Sequence, residues 1–193
     1  AYAGVYTQTG PVEGLYGNAA ISGGQLVLTS ASASQRGGFR VEGSGNKASE
    51  SEVIFDLITD SAAKSADGLS YSFSYGGDPD NAAPEANLGT GNGLSLSFNT
   101  YESAIPSKVG IYLFYGNAAS RSWTSLPQQL ASNTSNNALW FEKTAKVKLS
   151  INALGQASVS LSTNGGSTWT SVFSDVQLPA DYLTADRGEW DHV

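Results

Sequence analysis

The chain has 193 residues with only 14% charged side chains, and its 22 glycines suit short strands and tight turns better than helices. A net charge of −7 on 10 basic residues leaves no basic surface for nucleic acid. With no cysteine there is no disulfide, thiolate metal site or cysteine nucleophile. No apolar run approaches the ~20 residues that a membrane span needs. The length fits one β-sandwich domain over residues 1–193.

In chain order, Gly23-Gly24 marks the first turn. Val53, Phe55 and Leu57 alternate with polar positions as in a half-buried strand. In GLSYSFSYG, Leu69, Tyr71, Phe73 and Tyr75 alternate with serines, and in GLSLSFNTY Leu94, Leu96 and Phe98 oppose Ser95, Ser97 and Asn99. KVGIYLFYG is apolar throughout and belongs in the sandwich centre. Val147, Leu149 and Ile151, a turn around Gly155, and Val159 and Leu161 predict a further hairpin. Residues 76–93 and 117–138 read as long polar loops, the second carrying Trp123. Trp169, among apolar neighbours in STWTSVF, reads as core; Tyr115 faces either core or site. The expected architecture is all-β, two antiparallel sheets of about eleven short strands.

Four segments in order, GNAAISGGQLVLTS (17–30), ADGLSYSFSY (66–75), GNGLSLSFNTYES (91–103) and KVGIYLFYG (108–116), resemble the L-type (legume and concanavalin A-like) lectins and their bacterial relatives. The resemblance implies a concanavalin A-like jelly roll and a non-catalytic, carbohydrate-binding role. In that family the aspartate of the Ala-Asp-Gly run accepts sugar hydroxyls, which points to Asp67, an acceptor able to take two hydroxyl donors; Gly68 beside it lets a ligand approach the backbone. Gly91, Asn99, Ser103 and Trp123 complete the expected ligand-binding set.

The family's metal strand runs Glu-x-Asp-x-Tyr-x-Asn, with a histidine on the next strand. Here those positions hold Ser97, Asn99, Tyr101 and Ser103, followed by Lys108. No legume-type transition metal is expected, because the acidic and imidazole ligands are missing and an ammonium repels a cation. A calcium ion is the remaining expectation, held by Asn99, the Tyr101 carbonyl and carboxylates from Asp78, Asp80 or Glu102.

Glycan hydrolases of this sandwich carry a Glu-x-Asp-x-x-Glu string, which is absent. Glu50, Glu52 and Asp56 share a solvated strand face, and the single histidine, His192, lies next to the end of the sequence, a poor place for a triad. The chain therefore reads as a secreted or cell-surface module whose partner is a glycan or other cell-surface ligand. The alternatives are a calcium-dependent adhesin domain gripping a peptide, and a structural module without a ligand. ADRGEWDHV falls where a last strand of the family begins, so that strand is expected to be short, missing or supplied by a partner.

Overall fold

In the computed structural model, residues 14–30, 35–41, 49–59, 68–75, 88–101, 108–117, 128–187 and 190–192 are described. They form thirteen strands. Two small ribbons come first: β1 (Leu15–Gly17) pairs with β4 (Gly37–Phe39), and β2 (Ala20–Ser22) pairs with β3 (Gln25–Val27) across the Gly23-Gly24 turn. The rest belong to two antiparallel sheets. One holds β5 (Ser51–Ile58), β10 (Thr144–Ile151), β11 (Gln156–Ser162) and β12 (Thr170–Gln177), in the order β12-β11-β10-β5. The other holds β6 (Gly68–Tyr75), β7 (Asn92–Asn99), β8 (Gly110–Asn117), β9 (Gln128–Asn133) and β13 (Asp191–His192), in the order β13-β6-β7-β8-β9.

The core forms between the sheets because each strand's apolar positions fall on one face. Leu94, Leu96 and Phe98 of β7 stand opposite Tyr115, Leu113 and Ile111 of β8, and all six are buried. Facing them are Val147, Leu149 and Ile151 of β10 and Ala157, Val159 and Leu161 of β11. The β10–β11 hairpin turns through Asn152, whose side-chain oxygen accepts from the amides of Leu154 and Gln156, and through Gly155 at φ 72°. Tyr115 joins the core edge-on to Tyr182 of the short helix α1 (Ala180–Thr184).

Three expectations are corrected. The serine face of β6 and β7 is not open to water: Ser72, Ser74, Ser95 and Ser97 are buried. The chain at Leu88–Gly91 lies back on them, with the Thr90 amide donating to Ser72 Oγ at 3.0 Å and Ser74 Oγ donating to the Thr90 carbonyl at 2.7 Å. Leu88 closes a second small core with Tyr112 and Phe114. The polar stretch 117–138 is not loop throughout, because QQLASN forms β9, an edge strand recruited by β8 through a bulge at Leu113/Phe114. Trp169 is not core. It lies half-buried beside the Lys146 stem, with the Lys148 ammonium 4.5 Å from its ring centre on the outer face of the four-stranded sheet. The aromatic that fills the core is Trp140, fully buried and edge-on to Phe98.

His192 is also more ordered than its place in the sequence implies. It pairs with Phe73 across β13–β6 and with Val41 through two backbone hydrogen bonds of 2.8 and 3.0 Å. Its ring stacks on Phe73, and Nδ1 lies 2.6 Å from the Tyr71 hydroxyl. Burial, and then the neighbouring Tyr182, push the Tyr71 phenol far above its usual range, so Tyr71 keeps its proton in this contact, and the imidazole tautomer decides which atom donates.

Candidate functional site

Three strand ends meet at one end of the five-stranded sheet: Gly68 opens β6, Asn99 closes β7 and Gly110 opens β8. Asn99 is paired with both glycines, so its partners on either side in the ladder carry no side chain. Gly68 has to be glycine. Its φ is 135°, and a Cβ there would sit 2.1 Å from the Phe98 carbonyl oxygen and 3.1 Å from the Asn99 Cα. This close approach is what holds β6 against Asn99 where the chain enters the sheet, directly after Asp67 in sequence.

Asn99 is fully buried on the face of β7 that carries Ser95 and Ser97. Its Nδ2 donates to the Tyr101 carbonyl at 3.1 Å and to the Lys108 carbonyl at 2.8 Å. The Tyr112 hydroxyl donates to the same Lys108 carbonyl at 2.9 Å, and burial raises the Tyr112 phenol so that it keeps that proton. Both acceptors are main-chain carbonyls, which cannot donate, so the amide orientation is determined: NH2 faces the two carbonyls. Ser97, between Ser70 of β6 and Tyr112 of β8, keeps a buried hydroxyl with no hydrogen-bond partner among the described residues. Tyr101 is 43% exposed at this end of the sheet.

The predicted set is thus partly brought together. Gly68, Asn99 and Tyr101 share one end of the sheet. Gly91 does not join them: it precedes the other end of β7, packed on Ser74 and Tyr75 with φ 74°. Six strand steps separate Gly68 from Ser74, roughly 20 Å. There Gly91 lets the Leu88–Thr90 segment reach the serine face, a packing role. Asp67, Asp78, Asp80, Glu102, Ser103 and Trp123 lie outside the described residues. The Lys108 carbonyl and the Tyr112 hydroxyl were not foreseen, since a backbone oxygen leaves no mark in residue types and Tyr112 looked like ordinary core.

The calcium expectation does not fit this part of the site. Calcium is held by converging oxygens. Here the Asn99 amide presents nitrogen, not oxygen, to the Tyr101 carbonyl, and two donors occupy both acceptor positions of the Lys108 carbonyl. Among the described residues, no three acidic, histidine or cysteine side chains cluster in a way that would hold a metal. Elsewhere, Glu52 and Asp56 are exposed on β5, and the Asp56 carboxylate pairs with Lys146 at 2.7 Å. This is a solvated ion pair of small energetic weight.

At the level of sequence, no family model and no curated protein matches the chain. At the level of structure the matches are clear. The exoplasmic/lumenal domain of VIP36 in its Ca2+/mannose-bound form superimposes with a TM-score of 0.64 at 14% identity, covering 99% of this chain and 78% of that one. The fold is that of the L-type lectins. The Ca2+/Man3GlcNAc-bound form of the same VIP36 domain gives a TM-score of 0.61 at 13% identity, over 92% of this chain and 75% of that one. Arcelin-5, a lectin-like defense protein from Phaseolus vulgaris, gives 0.54 at 15% identity, over 93% and 80%. At such identities the likeness is one of fold. Among the described residues, no helix is long and apolar enough to cross a membrane.

Proposed function

We propose that this L-type lectin fold is a non-catalytic, carbohydrate-binding module working in a secreted or cell-surface setting. The observation that carries the reading is the structural match to VIP36 domains whose bound forms contain mannose and Man3GlcNAc. The Gly68–Asn99 strand end supports it. Asp67 immediately precedes a strand start where a Cβ is excluded, so its carboxylate is our choice as acceptor for sugar hydroxyls. The exposed Tyr101 ring supplies an apolar face of the kind that stacks on a pyranose. Ser103 and Trp123 complete the proposed ligand set. Affinity then comes from a few polar contacts and one aromatic face, so single-site binding is weak and gains strength through multivalency.

A glycan array probed with the multivalently displayed protein tests this, with a peptide library as the parallel arm. Asp67→Asn keeps the shape and removes the charge. It should weaken binding to the best glycan by about 10–100-fold, the worth of one charge-assisted hydrogen bond, with melting unchanged. Binding to peptides alone, or to neither library, would overturn the glycan reading in favour of an adhesin or a structural domain.

A further inference from the structure

The connection between β7 and β8 leaves Asn99 and returns at Lys108, and one side chain ties its two ends. Asn99 Nδ2 donates at 3.1 Å to the Tyr101 carbonyl on the outgoing side and at 2.8 Å to the Lys108 carbonyl on the returning side. Tyr112 adds its hydroxyl to the Lys108 carbonyl at 2.9 Å. The fold neighbours from VIP36 are Ca2+-bound forms. In this chain the arrangement has the opposite polarity. Where a cation would gather oxygens, the two carbonyls are gathered by a donor carrying partial positive charge, and Lys108 adds a full positive charge nearby in sequence.

We infer that Asn99 is a built-in brace that stands in for a divalent cation between the Tyr101 and Lys108 carbonyls, holding these two ends of the β7–β8 connection together without metal. The physical equivalence is direct. A cation and an NH2 group both attract carbonyl oxygens, but the amide is covalently part of β7, is fully buried and needs no ion to be captured. The brace specifies asparagine. Aspartate at this position presents only acceptors to two acceptors, and leaves both carbonyls without their donor. The inference rests on the strand-end geometry and does not depend on the glycan reading.

The test is thermal unfolding of the whole chain in EDTA and in millimolar calcium. The expected result is the same melting temperature within about 1 °C, since a ligand at 100 times its dissociation constant adds about 2.7 kcal/mol and shifts a domain of this size by roughly 5–10 °C. A calcium-dependent rise of that size would overturn the brace. Asn99→Asp should lower melting in EDTA by about 5 °C or more, and unchanged melting would also overturn it. If the aspartate variant does not fold, Asn99→Ser, which removes the two-pronged donor without adding charge, is read by the same criteria. Neither measurement involves a sugar, so a negative glycan array and a failed brace remain separate results.

Discussion

Gly68 offers a quantitative test of how the site end is built. Replacing it with alanine introduces two separate costs. The first is conformational: a φ of 135° lies in a region that L side chains avoid, at about 1–3 kcal/mol. The second is steric. The new Cβ would lie 2.1 Å from the Phe98 oxygen, and that oxygen belongs to a paired strand rather than a flexible side chain. Relief requires β6 and β7 to part by roughly 1 Å, weakening at least one ladder hydrogen bond worth about 1 kcal/mol. Together these predict about 3 kcal/mol or more, and a fall in melting temperature of roughly 6–12 °C. Gly23 is the natural control, because its φ of 59° is also positive but no atom of the described residues lies within 4 Å of where an alanine methyl would stand. Gly23→Ala should cost only the left-handed strain of about 1–2 kcal/mol. Urea unfolding of both variants, with an unchanged m-value as the check on two-state behaviour, measures the difference. Equal losses would refute the argument that Gly68 is held by close strand approach.

Leu88→Ala removes the plug that Leu88 forms with Tyr112 and Phe114, and should cost about 2.7–5 kcal/mol in urea unfolding; a loss under about 1 kcal/mol would return the serine face to solvent. Alkaline pH should destabilise the fold. Burial is the main cause that raises the phenols of Tyr71, Tyr112, Tyr115 and Tyr182 above their ordinary range. The folded state therefore holds protons that the unfolded chain releases. Stability is fully present below about pH 10 and falls as pH climbs through the folded-state values, by up to about 1.4 kcal/mol per pH unit for each phenol. Urea midpoints at pH 9 and 11 measure this, and equal midpoints would contradict it.

Strand positions were legible because period-2 alternation reports pairing directly, as β6, β7, β10 and β11 show. What alternation does not report is the wet face. Ser72, Ser74, Ser95 and Ser97 read as solvent-facing, yet serine is small enough for Leu88–Thr90 to lie on top, and its hydroxyl satisfies that segment's backbone. β9 escaped notice for a related reason: Gln128, Gln129 and Asn133 carry no strand signal of their own, and the strand exists because β8 needs a partner. Trp140 escaped because the 3-10 turn Asn137–Leu139 directs it inward without any periodic pattern.

At the proposed site, residue types left the chemistry open. Asp67-Gly68 before β6 and Asn99 at the end of β7 were singled out by the resemblance to the L-type lectins. An asparagine amide, however, is donor at one atom and acceptor at the other, so its identity alone is compatible with a metal ligand and with a hydrogen-bonded brace. The choice is made by the two carbonyls placed around it. One of them, at Lys108, is nine residues away and arrives only through the β7–β8 pairing that sets Asn99 against Gly110. Tyr112 is positioned by the same register, through its pairing with Ser97. A one-residue slip of β8 would turn Tyr112 to the opposite face and move the Lys108 carbonyl out of reach, while every residue type stayed the same. The difference between a calcium-organised loop and a self-braced one is therefore a property of strand register.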